Sequence, residues 1–291
     1  MPEPPVTYPQ LSNASLDTTV SVQPVDEFGQ VRDGYISAER PLTIYLDKRE
    51  ILTLMTIGSQ PELLVLGWLR NQNLITELTQ LKAIQVDWET ESVAVTTFDG
   101  VQGLDEKLGH KTVTTGCGQG TMFGSLMDRL DKVKLPLVTV QQSLLYDTLR
   151  VLTEYNEIYK RAGAVHGCAL CAGTEILSFV EDVGRHNAVD AIAGYMWLHG
   201  IEGGDKLFYT TGRLTSEMVI KVAQIGVPIL LSRSGVTQMG LELAQKLGVI
   251  LIARAKGRHF LVYNGAERIV FDAMPPPRSE PVIHHRAEAD A

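Results

Sequence analysis

A single cysteine, Cys117, lies among three closely spaced glycines within residues 114–121. Glycine gives the backbone conformations that other residues avoid and leaves the neighbouring sulfur uncovered. A thiol in this setting is accessible to a large partner, whereas most free cysteines are buried and behave as small hydrophobes. The stretch therefore presents a candidate reactive thiol, although the same composition also fits an ordinary flexible turn that happens to contain a cysteine.

Two further cysteines, Cys168 and Cys171, follow His166 along the chain. Three cysteines are too few for a disulfide framework, so in a reducing compartment they are thiols, metal ligands, catalytic groups or packed core residues. With Cys117 and His166 they supply ligand types that zinc accepts. On a strand, however, His166 and Cys168 share one face while Cys171 points to the other, so they converge only if the segment is a turn or a helix.

The zinc deaminase signature, His-x-Glu followed by Pro-Cys-x-x-Cys, is absent from the chain. A zinc-dependent, deaminase-like hydrolase is therefore a disfavoured alternative, and no permanent metal is expected. A dithiol redox switch at Cys168 and Cys171 is a further alternative to simple core packing.

Helices and strands alternate from about residue 138 onward, which predicts an α/β fold with a mostly parallel sheet and helices on its faces. Ser143 is the expected N-cap of the first helix, whose apolar stripe contains Leu145, Leu149, Leu152, Tyr155 and Tyr159. Strands are predicted at 164–170, 175–180, 207–211, 227–232 and 249–253. Helices are predicted after Asp182, at 215–225 and at 237–247, with glycines closing the last two.

Four segments of this half combine arginine with glycine near the carboxyl ends of the predicted strands, where open α/β sheets bind their ligands. They are residues 182–186 with Arg185, 211–213 with Arg213, 233–235 with Arg233, and 254–258 with Arg254, Lys256 and Arg258. Arginine forks and exposed amides suit phosphate or pyrophosphate. Exposed loops often carry such residues without a ligand, so the expectation of an anionic ligand depends on the four segments together.

The N-terminal half reads as a small β-rich α+β module. Alternating apolar runs predict hairpins that turn at residues 47–48 and 90–91, and Ser59 with Glu62 predicts a capping box for one helix between them. The predicted organisation is a loosely ordered arm at 1–38, the β-rich module at 39–137, the α/β domain at 138–273 and a flexible tail at 274–291.

The net charge of −8 and the pI of about 5.4 argue against a general nucleic-acid binder. No apolar run approaches the roughly 20 residues that a membrane-spanning helix needs. The first ten residues lack the basic and apolar segments of a secretory signal. The sequence therefore predicts a cytoplasmic protein.

Several segments, taken in order, resemble the FdhD/NarQ family over residues 38–265. They are residues 39–46, 66–69, Val165 with His166, the signature-like stretch 181–190 (EDVGRHNAVD) and the stretch 211–218 (TGRLTSEM). The resemblance implies an accessory protein of formate dehydrogenase with sulfurtransferase activity. It also implies a homodimer whose C-terminal part has a cytidine-deaminase-like, three-layer α/β/α architecture.

The resemblance further implies that the protein accepts sulfur as a persulfide from a cysteine desulfurase. The sulfur passes to the bis-molybdopterin guanine dinucleotide (bis-MGD) molybdenum cofactor before formate dehydrogenase apoenzyme receives that cofactor. Cys117 lies at the position of the family's persulfide cysteine. The family's cofactor-contacting segment corresponds to Ala253, Arg254, Ala255, Lys256, Gly257 and Arg258, with Arg185, Arg213 and Arg233 as weaker candidates.

The chain departs from the family pattern at two places. Gly120 stands where the family loop usually has the second cysteine of Cys-x-x-Cys, while Cys168 and Cys171 stand where the family usually has alanines. A two-thiol exchange within the loop is thereby excluded. A carrier with a single cysteine still works, because one thiolate can attack a sulfur donor and later be attacked itself.

The leading hypothesis is that Cys117 ionises, receives a sulfane sulfur and delivers it to cofactor held at the arginine segments. Backbone amides and a predicted short helix at 122–130 would lower the pKa of the Cys117 thiol. His166 is either an aid to proton transfer or a core histidine, and Asp182 is either a ligand contact or a helix cap. The alternative function is a non-catalytic chaperone that binds cofactor or apoenzyme without using Cys117.

Overall fold

The alternating apolar residues of the N-terminal half form a mixed five-stranded sheet. The computed structural model describes residues 9–104, 112–113, 120–121 and 133–273. The first elements are β1 (Gln10–Leu11), β2 (Thr19–Val22), β3 (Gly34–Ser37), β4 (Arg40–Leu46), β5 (Arg49–Thr56), α1 (Pro61–Asn71), β6 (Leu81–Asp87) and β7 (Ser92–Thr97). The sheet order is β1-β6-β7-β4-β5. Both predicted hairpins are confirmed, and Asp47 and Lys48 have the positive φ angles that a tight hairpin turn requires.

Residues 9–38 are more ordered than their composition predicts. β1 pairs with β6, and β2 pairs with β3 in a hairpin of its own. The prediction of a loosely ordered arm is therefore wrong for this part of residues 1–38. Composition does not predict this order, because the order comes from backbone hydrogen bonds with β6 and across the hairpin. Polar and apolar residues form such bonds equally well.

A second, six-stranded sheet organises the C-terminal half. The remaining elements are β8 (Thr112–Val113), β9 (Gly120–Thr121), β10 (Val140–Gln141), α2 (Gln142–Tyr155), α3 (Glu157–Ala162), β11 (His166–Ala172), β12 (Glu175–Asp182), α4 (Arg185–Leu198), β13 (Leu207–Thr210), α5 (Ser216–Gln224), β14 (Ile229–Ser232), α6 (Gln238–Leu247), β15 (Ile250–Lys256), β16 (His259–Asn264) and β17 (Ile269–Val270). The sheet order is β12-β11-β13-β14-β15-β16. Strands β13, β14 and β15 are parallel, and antiparallel strands flank them on both sides. The fold is thus α/β, as predicted. The prediction of a mostly parallel sheet is wrong, because three of the five strand pairings in this sheet are antiparallel.

Helices cover both faces of this sheet. Cys168, Phe208 and Leu230 point into a core that they share with α4, α5 and α6. The alternate side chains, among them Cys171 and Leu231, point into a second core under α2. The strands are apolar on both faces, as expected for a sheet between two helical layers. None of the helices in the described ranges is both long and apolar enough to cross a lipid bilayer.

The two halves of the chain share one continuous core, and the contact between α1 and α4 joins them. A Cβ atom on Gly67 would lie 1.8 Å from the Asp190 carbonyl oxygen, and one on Gly194 would lie 2.0 Å from the Leu63 carbonyl oxygen. Any side chain at either position would push the helices apart. The crossing holds the N-terminal sheet firmly against the helix that begins with Arg185.

Two predicted helix caps are wrong. Ser59 and Glu62 form no capping box, because the Glu62 carboxylate instead accepts hydrogen bonds from the Ser12 hydroxyl (2.6 Å) and the Ala14 amide (2.7 Å). Ser143 does not cap α2, because its amide and hydroxyl donate to the Asp272 carboxylate at 2.9 and 2.6 Å. In both cases residues distant in sequence provide the partners, which a local motif cannot anticipate.

Candidate functional site

Two neighbouring cavities lie at the carboxyl ends of the parallel strands. The first, of about 230 Å³, is lined by Leu149, Leu152, Thr153, Asn156, Tyr159, Lys160, Tyr209, Arg233, Ala255, Lys256 and Gly257. The second, of about 340 Å³, is lined by Asn156, Tyr159, Val165, His166, Gly167, Thr211, Arg233 and Ser234. Since Asn156, Tyr159 and Arg233 line both, the cavities form one feature, here named the strand-end groove. It lies where the sequence predicts a ligand site.

Arg233 is the cation common to both cavities. It directly follows β14, its side chain is exposed, and its backbone amide donates to the Thr210 carbonyl oxygen at 3.1 Å. Its side chain also forms a hydrogen bond with the buried Tyr209 hydroxyl. Burial raises the pKa of Tyr209 to about 12, so this hydroxyl stays neutral. The remaining guanidinium donors are available to an anion in the groove.

His166 lies at the start of β11, beside the end of β13. Its Nδ1 atom is 3.5 Å from the Thr211 hydroxyl, which itself accepts a hydrogen bond from the Gly167 amide at 3.0 Å. Burial lowers the pKa of His166, and the charges of Arg185 and Arg213 lower it further. The half-buried imidazole is therefore neutral at pH 7 and can accept a proton from a group bound in the groove.

The predicted cofactor segment, residues 253–258, divides between core and surface. Ala253 and Ala255 are buried, whereas Arg254, Lys256, Gly257 and Arg258 are exposed; Ala255, Lys256 and Gly257 line the first cavity. Arg254 has a φ of +51° at an irregularity in β15, and its amide donates to the Ser234 carbonyl oxygen at 2.9 Å. This unusual conformation for an arginine marks the strand end as a constrained feature.

The other predicted arginines differ from each other. Arg213 is exposed on its loop, but Arg185 is only 3% exposed and packs beneath Gly212, where a Cβ would lie 2.7 Å from the Arg185 Cδ. Arg185 is therefore not an exposed loop residue, which corrects the sequence prediction. Its position as the first residue of α4 brings it into the core, from which its charge acts on His166.

The Asp182 carboxylate is buried and hydrogen-bonded within the protein. It accepts four hydrogen bonds: from the Thr56 hydroxyl (2.6 Å), the Ile57 amide (3.2 Å), the Gly184 amide (2.9 Å) and the Asn187 side chain (2.7 Å). Burial raises the pKa of this carboxyl despite the four donors. The cap alternative is closer to the structure, because Asp182 ties the start of α4 to the end of β5.

Cys168 and Cys171 lie on opposite faces of β11, as a strand requires. Both are fully buried, and burial raises the pKa of each thiol to about 12. The Cys168 sulfur lies 3.2 Å from the Thr210 hydroxyl. The two cysteines and His166 thus do not converge on one point. Within the described ranges, no three His, Cys, Asp or Glu side chains are grouped as metal ligands.

Tyr159 lines the strand-end groove, although the sequence pattern predicts a core position for it. The predicted apolar stripe of α2 is correct for Leu145, Leu149 and Leu152, but the helix ends at Tyr155, and Tyr155 and Tyr159 are exposed. Tyr159 belongs to α3, whose first amides, at Ile158 and Tyr159, each donate to the Glu181 carboxylate at 2.9 Å. Asn156 followed by Glu157 is a helix-start pattern that could have indicated this break.

A buried network of charged and polar side chains joins α1, α4 and α5. Lys221 donates to Asp190 at 2.7 Å, and the Asn71 side chain donates to the same carboxylate at 2.7 Å. Glu217 lies 3.3 Å from the His186 ring and 3.8 Å from Lys221. Burial, with the Lys221 charge, lowers the pKa of His186 to about 2 and keeps the ring neutral. The sequence placed these residues on helices but did not predict their pairing.

Cys117 lies outside the described residues. The described strands on either side of it in sequence, β8 and β9, pair antiparallel through Thr112 with Thr121 and Val113 with Gly120.

The FdhD/NarQ family model matches residues 37–270, which is most of the chain. The chain belongs to the FdhD/NarQ family. Its curated relatives include the sulfur carrier protein FdhD of Bacillus licheniformis, 30% identical over 244 residues, which are 82% of this chain and 92% of that protein. FdhD of Bacillus subtilis is 30% identical over 247 residues, covering 84% of this chain and 93% of that protein.

Among solved structures, a formate dehydrogenase accessory protein from Desulfotalea psychrophila aligns with a TM-score of 0.70 and 27% identity. The alignment covers 87% of this chain and all of that one. The resemblance predicted from the sequence is thereby confirmed, with boundaries close to those expected. Since the FdhD/NarQ match begins at residue 37, strands β1 and β2 and nearly all of β3 precede it.

Proposed function

We propose that this protein is a persulfide sulfurtransferase that serves formate dehydrogenase. It takes sulfur from a cysteine desulfurase on Cys117 and passes it to the molybdenum bis-MGD cofactor, its substrate. Membership of a family of sulfur carriers supports the general role. The observation that carries the site assignment is the strand-end groove, which combines cations, a neutral histidine and an aromatic ring.

The groove suits one diphosphate-bearing half of that substrate. Arg233 reaches both cavities, and Lys256 adds a second cation in the first, so a pyrophosphate would meet charge-assisted donors. Gly257 exposes backbone without a side chain to obstruct the phosphates. The Tyr159 ring, about half exposed, offers a flat apolar face to a heterocycle.

Sulfur loading needs a single thiolate. The Cys117 thiolate attacks the outer sulfur of the desulfurase persulfide, the S–S bond of the donor breaks, and the donor cysteine leaves as a thiolate. The outer sulfur is then held on Cys117 by a new S–S bond. Its later incorporation as a sulfide ligand requires two electrons, which a dithiol provides in a transfer assay.

The direct test combines sulfur loading with ligand binding. Cys117→Ala protein, incubated with a desulfurase and cysteine, should acquire no protein-bound persulfide while it binds GDP, the nucleotide half of the substrate, like the unaltered protein. Arg233→Gln should weaken GDP binding by about tenfold or more and leave loading intact, since it removes a charge-assisted contact. Arg150→Gln, on an exposed arginine of α2 outside the groove lining, is the matched control.

The alternative function is a chaperone that binds cofactor or apoenzyme without chemistry. It predicts that Cys117→Ala still rescues formate dehydrogenase activity in cells that lack the protein. Loss of rescue together with retained GDP binding supports sulfur transfer. Unchanged persulfide loading of Cys117→Ala would refute the assignment of that cysteine.

The proposal also includes the location, the oligomeric state and the layer arrangement of the protein. The protein is proposed to act in the cytoplasm as a homodimer, with a deaminase-like arrangement of its α/β/α layers. The disfavoured zinc hydrolase has lost support within the described residues, since His166, Cys168 and Cys171 do not converge.

A further inference from the structure

The hairpin of β2 and β3, residues 19–37, presents an unusually apolar tip. Val25, Phe28 and Val31 are 62%, 77% and 62% exposed. Six of the fifteen exposed large apolar side chains in the described ranges lie on this one hairpin: Val20, Val25, Phe28, Val31, Tyr35 and Ile36. Single exposed apolar residues are ordinary, but a concentration of this kind marks a contact surface.

The tip is held in a fixed shape. The Asp26 carboxylate accepts hydrogen bonds from the amides of Phe28 and Gln30, each at 2.9 Å, and from the Arg32 side chain at 2.7 Å. Backbone pairing between Asp26 and Gln30, and a bridge between Val25 and Val31, close the turn. A surface ordered in advance loses little conformational entropy when a partner binds it.

The hairpin is placed beside the strand-end groove. The Arg161 guanidinium lies 3.8 Å from the centre of the Tyr35 ring, and the Ser37 hydroxyl donates to the Gly163 carbonyl oxygen at 2.7 Å. These contacts seat the hairpin on α3 and the turn that follows it, and α3 also supplies Tyr159 and Lys160 to the groove. The base of the hairpin is therefore joined to the helix that lines the groove.

The charge of the hairpin indicates the kind of partner. Its charged residues are Asp26, Glu27 and Asp33 against the single cation Arg32. The complementary surface is an apolar pocket with a basic rim. A second copy of the chain fits poorly, because the cations of its groove are those proposed to hold the anionic ligand.

We propose that this hairpin is a docking element that binds formate dehydrogenase apoenzyme, through an apolar pocket with a basic rim on that enzyme. The identity of the client rests on the proposed function, whereas the docking surface itself rests on the exposure, order and charge of the hairpin. The base of the docking element contacts α3, which also lines the groove proposed to hold the cofactor.

The test is a binding measurement with the full-length protein and the catalytic subunit of formate dehydrogenase from the same organism, produced without its molybdenum cofactor. Biolayer interferometry gives the Kd at low and at moderate salt. Phe28→Ser should weaken binding by about tenfold or more, since truncation of a central aromatic contact has effects of that size. Phe98→Ser, which alters a 54% exposed phenylalanine outside the hairpin, should bind like the unaltered protein. Glu27→Lys should weaken binding and reduce its salt dependence.

Thermal melting confirms that each variant is folded, and persulfide loading of Cys117 with GDP binding is measured on the same samples. Normal loading and GDP binding together with lost client binding in Phe28→Ser supports the docking proposal. An unchanged Kd for Phe28→Ser, an equal loss in Phe98→Ser, or no binding by the unaltered protein would overturn it. So would a defect confined to desulfurase binding or to dimerisation. Failure of Cys117 to load would refute the proposed function while leaving the client Kd as a separate result.

Discussion

Replacement of Lys221 by methionine should destabilise the protein strongly, because it breaks a buried ion pair from one side. The Lys221 ammonium is 2.7 Å from the Asp190 carboxylate and 3.8 Å from Glu217, and both Lys221 and Asp190 are almost completely buried. Without Lys221, the Asp190 carboxylate keeps only the Asn71 side chain as a described hydrogen-bond donor. Methionine fills a similar volume, so the effect reports the lost charge rather than a cavity.

The expected loss in the free energy of unfolding is about 3–5 kcal/mol at pH 7, the usual cost of leaving a buried charge without its partner. Burial already raises the pKa of Asp190, and removal of Lys221 takes away the main influence that lowers it. The native state of the variant would then bind a proton that the unfolded state releases, so its stability falls as pH rises. The loss in the free energy of unfolding caused by Lys221→Met should therefore be smaller at pH 5 than at pH 8.

Urea unfolding followed by circular dichroism at several pH values measures this directly. The matched control is the double variant Lys221→Met with Asp190→Asn, in which position 190 no longer carries a charge and Asn71 still has an amide partner. We expect the double variant to recover about half of the loss or more and to show little pH dependence. A loss below about 1 kcal/mol in the single variant, or a double variant no more stable than the single one, would refute this view of the network.

Three further predictions concern packing, thiol reactivity and the groove. Gly194→Ala should lower the free energy of unfolding by more than about 3 kcal/mol, because its Cβ would lie 2.0 Å from the Leu63 carbonyl oxygen. The control in urea unfolding is Gly235→Ala, because a Cβ there would meet open space, and equal losses in the two variants would contradict this prediction. Cys168 and Cys171 should resist iodoacetamide at pH 8 in the folded protein and react in urea, as followed by mass spectrometry, because burial raises the pKa of both thiols to about 12; rapid native labelling would show that β11 opens. Tyr209→Phe should weaken GDP binding by about threefold to tenfold in calorimetry, since it removes the hydroxyl partner of Arg233; unchanged affinity would mean that this bond does not orient the guanidinium.

The sequence was sufficient for the alternation of helices and strands and for the edge of the sheet that carries the groove. Those features follow from local periodicity and from a general property of parallel strands. Cys168 and Cys171 were correctly expected to point in opposite directions, because the two-residue period of a strand dictates it.

The features that the sequence did not reveal depend on contacts between distant residues. Arg185 reads as a loop arginine, yet it is buried beneath Gly212 because α4 starts with it and packs into the core. Tyr159 reads as part of one long helix, yet Glu181 caps a separate short helix and turns that ring into the groove. The hairpin at residues 19–37 reads as an arm because composition does not register backbone pairing.

Persulfide mapping shows whether Cys117 carries the transferable sulfur. The protein is incubated with a cysteine desulfurase and cysteine, its thiols and persulfides are blocked, and peptides containing each of the three cysteines are analysed by mass spectrometry. We expect one additional sulfur atom on the Cys117 peptide and none on the peptides of the buried Cys168 and Cys171. Additional sulfur on either buried cysteine, or equal loading of Cys117→Ala protein, would contradict this expectation.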